Sequence, residues 1–144
     1  MYAEYLERYP EAALIVAMAE NTWAGNRKTT KIEFSLSDKL KEKLKELLGK
    51  EIHKIFITDS DARHIKKHHG HNEERRGQVD INPLDFAFIP VVMNEPDTIE
   101  HTGEDKTGNK KLLFTKKIEH TIYIGSIGRG NKKIGVITLW KKRN

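Results

Sequence analysis

The chain has 144 residues, of which 37% are hydrophobic and 33% charged, and its formal net charge is +5. This length predicts one domain with a modest core, and the excess of Lys and Arg favours an anionic partner, nucleic acid first. Cysteine is absent, which excludes disulfides, thiolate catalysis and cysteine-type zinc sites. Because disulfides are rare in reducing compartments, we expect a cytoplasmic protein.

The N-terminal residues 1–22 predict two helical pieces that are broken near Pro10. The apolar run at residues 12–19 is far shorter than the roughly 18 residues of a membrane span. Glutamates, not basic residues, precede this run, so it does not resemble a signal peptide. We therefore expect no membrane association and divide the chain into an N-terminal helical segment with linker, 1–30, and an α+β domain, 31–144.

The residues after the linker predict alternating strands and helices. The alternation in residues 31–35 predicts a half-buried strand, and residues 52–58 predict a second, short one. Between them, Ser37 is a typical N-cap for a helix that ends before Gly49. Asp59 or Ser60 is expected to begin a histidine-rich helix that ends at Gly70.

The second half of the chain predicts a sheet. Pro83 can begin a short helix, and Pro90 and Pro96 bracket an expected extended piece, 91–95. Four strands are then expected, the last two joined by a Gly-rich turn at 128–131; the strands are residues 98–101, 111–118, 121–127 and 133–140. Helices followed by such a meander predict an α+β fold with a four-stranded antiparallel sheet.

The histidine-rich segment, residues 59–70, is the strongest functional signal. On a helix, Asp61, His64 and His68 share one stripe, and the adjacent, more apolar stripe comprises Ala62, Ile65 and His69. We expect this apolar stripe to pack on the C-terminal sheet, which leaves His64 and His68 at the edge of a groove. Histidine is the side chain that can both give and take a proton near pH 7 without a perturbed pKa.

Metal chemistry is a weaker interpretation of the same residues. His64 and His68 have the i, i+4 spacing of a two-histidine metal pair, and Asp61 or His71 could join them. A hydrolytic zinc helix needs a glutamate directly after the first histidine, but this chain has Ile65 there. Phosphate-binding glycine motifs of nucleotide folds are also missing. We predict no metal and no cofactor.

Metal-free RNA cleavage needs two acid–base groups and a few donors that stabilise charge on the phosphate. His64 and His68 are the candidate acid–base groups. Candidate cations are Arg75, Arg76, Lys67 and either Lys116 or Lys117, since only one of these two can face a cleft. Thr138 and Ser126 are candidate hydroxyl donors, and Tyr123 and Trp140 could stack on an unpaired base.

Five short segments together resemble one nuclease family: HIKKHHG, RGQVDI, DFAFIPVVMNEPDTI, KLLFTKKI and GVITLWKK. They are similar to the phage-associated nuclease domains of the barnase–EndoU–colicin–RelE-like (BECR) group, over about residues 50–142. The resemblance implies a helix with a four-stranded sheet and metal-independent RNA cleavage in a bacterial or phage setting. It carries catalytic roles to His64, His68, Lys116 and Thr138.

Two functions therefore remain open. One is a metal-independent endoribonuclease, with a phage or polymorphic-toxin effector as its implied setting and an inhibitor or immunity protein as an implied partner. The alternative is a non-catalytic nucleic-acid-binding or phage structural accessory module. RNA degradation in EDTA distinguishes them, because a binding module only retards RNA on a gel.

Overall fold

The computed structural model describes residues 2–130 and 132–144, so Met1 of the first expected helix and Asn131 of the expected Gly-rich turn lie outside it. The helices are α1 (Tyr2–Arg8), α2 (Glu11–Trp23), α3 (Asp38–Leu48), α4 (Asp59–His69) and α5 (Ile89–Asn94). The strands are β1 (Lys31–Ser35), β2 (Lys54–Thr58), β3 (Thr98–Glu104), β4 (Lys110–Lys117), β5 (Thr121–Gly128) and β6 (Lys133–Lys142). Two 3₁₀ helices, Glu73–Arg76 and Pro83–Phe88, lie between α4 and α5.

The strands form one six-stranded sheet in the order β1-β2-β6-β5-β4-β3. All neighbours are antiparallel except β2 and β6, which are parallel. The predicted α+β class is confirmed, but the predicted four-stranded sheet is wrong. Strands β1 and β2 were expected as strands, yet their place beside β6 depends on a pairing between residues about 80 positions apart, for which sequence periodicity gives no signal.

The sheet has one covered face and one open face. On β5 and β6, Ile124 and Leu139 pair directly, are fully buried, and face the core shared with α2, α5 and the 3₁₀ helix Pro83–Phe88. The neighbouring pair Tyr123 and Trp140 points the other way and is only half-buried. A bulge between Gly125 and Ser126 shifts the register, so β6 has one extra residue, Ile137, at this place.

A buried ion pair connects β6 to the 3₁₀ helix on the covered face. The Lys141 ammonium lies 3.0 Å from both carboxylate oxygens of Asp85, and both side chains are buried. Asp85 also accepts from the backbone of Asn82 at the start of that 3₁₀ helix. A buried charge needs such a partner, because its transfer from water is otherwise very costly.

Helix α4 lies beside the second half of β6. Strand β2 pairs with β6 only between residues 54–56 and 133–135, and α4 follows directly after β2. Farther along that side of β6, Val79 bridges to Lys141. Within the described part of the chain, residues 136–140 have no strand partner on this side, and α4 packs there. Helix α4 and strand β6 form the two sides of a groove.

Local signals explain most helix ends. Ser37 accepts from the Leu40 amide as predicted, and Gly49 adopts a left-handed conformation with φ of 71°. Helix α4, however, is capped by Thr58, which forms a capping box with Asp61, and not by Asp59 or Ser60. The extended piece expected at residues 91–95 is wrong as well. These residues belong largely to α5, whose first turn accommodates a proline without losing a hydrogen bond.

The N-terminal segment packs on the rest of the chain. Ala12, Ile15 and Ala19 of α2 are fully buried, and Ile15 and Ala19 belong to the common core. Arg8 and Tyr9 both donate to the Glu95 carboxylate just after α5. The division into residues 1–30 and 31–144 stays a prediction. No helix in the described residues is both long and apolar enough to span a membrane.

Candidate functional site

The groove between α4 and β6 brings together four of the side chains predicted from sequence: His64, His68, Arg76 and Thr138. It encloses about 590 Å³. The residues that line it come from α4, the following 3₁₀ helix and the β5–β6 hairpin; they are Ser60, Asp61, His64, His68, His69, Arg76, Arg129, Ile137 and Thr138. Basic and hydroxyl groups thus face each other across a cleft of a size suited to a small ligand or one nucleotide.

His64 and His68 lie side by side on the groove wall, with their ring centroids 4.3 Å apart. His64 is exposed and His68 half-buried. Their position follows from the neighbouring stripe of α4, because Ala62 and Ile65 are fully buried in the core. Ala62 and Ile65 are buried as expected, His69 of the same stripe is half-buried, and the two imidazoles line the groove.

The electrostatic surroundings of His68 favour its neutral form. Burial lowers the pKa of His68 below the ordinary 6.5, and the nearby positive charges of His64, Lys67, His69 and Arg76 lower this pKa further. His68 therefore remains unprotonated at a lower pH than an isolated imidazole would. A neutral imidazole is the form that accepts a proton.

His69 has a different environment from the other two histidines. Its Nδ1 lies 3.0 Å from the Glu73 carboxylate, whose side chain is only 1% exposed. Its ring also stacks on Trp140, with centroids 5.8 Å apart. A buried carboxylate at Nδ1 fixes the orientation of the ring and leaves Nε2 as the second polar atom. Sequence reasoning did not single out Glu73, because the predicted helix ends at Gly70 and the contact forms across the following turn.

Arg129 is the main groove residue that sequence reasoning did not identify individually. Its guanidinium lies 3.2 Å from each carboxylate oxygen of Asp61 and 5.8 Å from the centroid of the Phe56 ring. The side chain crosses directly over Gly135, where a Cβ atom would lie 2.8 Å from the arginine Cδ. Its only sequence signal was its place in the Gly-rich turn before β6. The pairing with Asp61 spans 68 positions and leaves no local pattern.

Thr138 lies on the open side of β6 and lines the groove opposite α4. Its cross-strand partner is Gly125, where a Cβ atom would be only 2.7 Å from the threonine Cγ2. The glycine therefore makes room for the threonine side chain. Ser126, the other candidate hydroxyl, is fully buried, and its Oγ lies 3.5 Å from the Leu112 carbonyl oxygen. It is not available to a ligand in the groove.

The predicted lysines are not part of the groove. The Lys116 ammonium donates to the Glu95 carbonyl oxygen at 2.7 Å and lies 3.7 Å from the Asp97 carboxylate. Lys116 pairs with Ile122, a buried residue, so it lies on the covered side of the sheet. Lys117 is exposed on β4, two strands away from β6. The structure does not bring either lysine together with His64.

The remaining candidates divide between the groove and its surroundings. Arg76 lines the groove, and its guanidinium lies 3.4 Å from the His68 carbonyl oxygen. Lys67 and Arg75 are exposed and lie on the same two helices, but outside the groove lining. Tyr123 stacks on Trp140 on the open sheet face. Within the described residues, no three His, Asp or Glu side chains are grouped as metal ligands.

The fold and the groove define a class of protein: a small, basic α+β protein with paired imidazoles facing guanidinium groups, a combination suited to phosphodiesters. Residues 35–144 match the model of one family, described as phage-Barnase-EndoU-ColicinE5/D-RelE like nuclease3. The chain belongs to this family of BECR-type nucleases, as the sequence motifs indicated. Comparisons with curated proteins and with solved structures gave no significant match.

Proposed function

We propose that the protein is a metal-independent endoribonuclease that cleaves RNA by attack of the substrate's own 2′-hydroxyl. The observation that supports this most is the His64–His68 pair, which faces Thr138 and two arginines across one groove in a member of a nuclease family. Two imidazoles at one phosphate can serve as the general base and the general acid that this reaction needs.

The two imidazoles take complementary roles. His68, whose pKa is lowered by burial and neighbouring charge, accepts the proton of the 2′-hydroxyl as its oxygen forms a bond to phosphorus. His64 donates a proton to the 5′-oxygen as the P–O5′ bond breaks. The products are a 2′,3′-cyclic phosphate and a free 5′-hydroxyl, and no external reactant is needed.

Stabilisation of the phosphorane falls to the other groove residues. Arg76 and Arg129 supply guanidinium groups, and Thr138 supplies a hydroxyl donor to a non-bridging oxygen. The ion pair with Asp61 holds the Arg129 guanidinium at the groove before substrate binds. The geometry of the groove gives no support to the predicted catalytic role of Lys116. Lys67 and Arg75, which are exposed beside the groove, contact neighbouring phosphates in this proposal.

The test is cleavage of a short 5′-labelled RNA by purified protein in EDTA. We expect a product that ends in a cyclic phosphate, and no cleavage of a strand with a single 2′-deoxy substitution at the scissile nucleotide. His64→Ala should reduce the rate about 10²- to 10⁴-fold, as loss of a general acid–base group typically does. His71→Ala, which changes an exposed histidine outside the groove lining, is the matched control and should cleave normally.

Two outcomes contradict the proposal. Cleavage that requires an added divalent metal would assign the reaction to a metal-dependent mechanism. Retardation of RNA on a gel without any cleavage would establish the non-catalytic binding module instead.

The proposal extends to the setting of the activity. The matched family is described as phage-associated, and a basic nuclease suits an effector that acts on RNA in the bacterial cytoplasm and is held inactive by an acidic inhibitor or immunity protein. Induced expression of the wild-type chain in bacteria should therefore arrest growth, whereas His64→Ala should not. Equal growth arrest by both would contradict an effector role based on cleavage.

A further inference from the structure

We infer that Tyr123 and Trp140 form a base-stacking subsite next to the groove, so that the substrate is single-stranded RNA with an unpaired base farther along the strand from the scissile phosphate. This inference rests on the proposed function for the position of the phosphate. It adds the part of the substrate that is recognised and the strandedness that this recognition requires.

The first observation is a continuous row of rings. Tyr123 and Trp140 are directly opposite on β5 and β6, with ring centroids 5.1 Å apart and an interplanar angle of 8°. On the other side of Trp140 lies His69, at 5.8 Å and 26°. Because His69 lines the groove and Tyr123 lies one strand farther out, the row leads away from the two catalytic imidazoles across the sheet.

Packing in the hydrophobic core does not explain the positions of Tyr123 and Trp140. Their neighbours along each strand, Ile122 and Leu139, are 3% and 0% exposed on the covered face. Tyr123 and Trp140 instead lie on the open face and remain half-buried. Large aromatic surface that is held rigid and in contact with solvent is typical of a binding platform.

The third observation concerns what surrounds Tyr123. Trp140 covers one side of its ring, whereas its partner on the opposite strand, β4, is the small residue Thr115. Among the described residues, no aromatic side chain lies in register on the side toward Thr115, which is where the proposed base would stack. The Lys142 ammonium lies over the same ring, 5.6 Å from its centroid, where it can neutralise a phosphate of the bound strand.

The strandedness follows from the geometry of stacking. A base in a duplex is already stacked on both sides, so a protein ring can take its place only after the base has been unpaired and extruded. Aromatic stacking accepts every base, since each has a π-face. The subsite thus predicts a requirement for unpaired RNA with little base preference at this position.

The experiment measures binding without cleavage. Labelled pentanucleotides of 2′-O-methyl RNA, which cannot be cleaved by 2′-hydroxyl attack, are titrated with the full chain by fluorescence anisotropy. A set in which each position in turn is abasic should reveal one position whose base contributes about 5- to 150-fold to affinity, the range given by stacking energies of about 1–3 kcal/mol per base. A hairpin that pairs this position should bind correspondingly more weakly.

Variants of Tyr123 assign that contribution to the ring. Tyr123→Leu should lose affinity for the intact strand by the same factor and should no longer distinguish it from the critical abasic strand. Tyr123→Phe should retain the affinity for the intact strand and the discrimination against the abasic strand, since it keeps the ring. Thermal unfolding of each variant verifies that the sheet is intact.

The inference is overturned if no abasic position weakens binding, or if Tyr123→Leu still distinguishes the abasic strand. The readout is independent of catalysis. A protein that cleaves RNA but shows no base-dependent affinity would refute the subsite and leave the nuclease intact. Base-dependent binding without cleavage would support the subsite and refute the catalytic proposal.

Discussion

The three histidines at the end of α4 occupy three different environments although they lie within six positions of the sequence. His64 is exposed, His68 is half-buried among positive charges, and His69 is held by the buried Glu73 carboxylate. In the proposed mechanism the three rings take different roles: His64 donates a proton, His68 accepts one, and His69 connects the groove to the row of aromatic rings. The residue type alone could not make these distinctions.

The lowered pKa of His68 predicts the pH dependence of the proposed reaction. A base must be unprotonated to work, so the rate rises as pH increases through its pKa. The midpoint of this rise, the acidic limb of the pH–rate profile, should lie below the ordinary 6.5. Lys67→Glu replaces a repelling charge with an attracting one, which raises the pKa of His68 and moves the acidic limb to higher pH. The measurement is the single-turnover rate at subsaturating RNA, which reports the pKa of the free protein, between about pH 4.5 and about pH 8.

The control for this prediction is Lys43→Glu, the same charge reversal at an exposed position on α3. It should leave the acidic limb in place. The shift caused by Lys67→Glu should shrink at high salt, because salt screens exposed charges. A limb that does not move would show that a group other than His68 acts as the base.

Thr138→Val tests the hydroxyl donor. Valine keeps the branched shape that packs against Gly125, so the strand should be unchanged and only the donor to the phosphate lost. We expect the single-turnover rate to fall about 10- to 150-fold, since a hydrogen bond to a charged group is worth about 1.5–3 kcal/mol. Thr98→Val on the edge strand β3 is the control and should retain the wild-type rate.

At the scale of elements, the β5–β6 hairpin positions one wall of the groove. The hairpin supplies Arg129 from its end and Thr138 from β6, and its bulge inserts Ile137 between the two. Helix α4 supplies the other wall and replaces β2 as the neighbour of β6. The groove therefore depends on the fit between one helix and one hairpin.

Gly135→Ala should disturb this fit without unfolding the domain. A new Cβ at this position would lie 2.8 Å from the Arg129 Cδ, so the flexible arginine side chain must move away from Asp61. We expect the cleavage rate to fall about 10-fold, by partial loss of phosphate stabilisation, while the midpoint of thermal unfolding changes little.

Gly128→Ala provides the comparison on the same hairpin. The nearest atom to its new Cβ is the Lys50 Nζ at 4.0 Å, so nothing in the groove has to move. This variant should cleave RNA at the wild-type rate. If both substitutions reduce the rate equally, the effect comes from the hairpin backbone and not from Arg129.

At the scale of the whole molecule, helix α2 contributes to the hydrophobic core although it precedes residue 35, where the family match begins. Ile15→Ala should lower the free energy of unfolding by about 2–5 kcal/mol, the usual cost of deleting a fully buried aliphatic side chain. Leu14→Ala, at the neighbouring position but 61% exposed, should change it by no more than about 0.5 kcal/mol. Urea denaturation measures both. Equal small effects would show that α2 is dispensable for the stability of the domain.

The parts of this molecule that sequence could predict are those fixed by local periodicity. The stripe of α4 put His64 and His68 together because residues four apart meet on any helix, and the alternation in β5 and β6 put Tyr123 and Trp140 on strands where they could face a ligand. What sequence could not give are contacts between distant segments. The parallel pairing of β2 with β6 and the Asp61–Arg129 ion pair leave no local pattern, so the six-stranded sheet and one groove cation were missed.

The buried Lys141–Asp85 ion pair has a consequence for which sheets this chain can form. A slip of β6 by one residue would turn every side chain of the strand to the opposite face, placing Lys141 in solvent and leaving the Asp85 carboxylate buried without its counter-charge. Separating a buried pair in this way costs about 3–5 kcal/mol, enough to make a misaligned hairpin a rare species at equilibrium. The buried ion pair thus favours a single register of β6. In that register Thr138 and Trp140 both lie on the open face of the sheet.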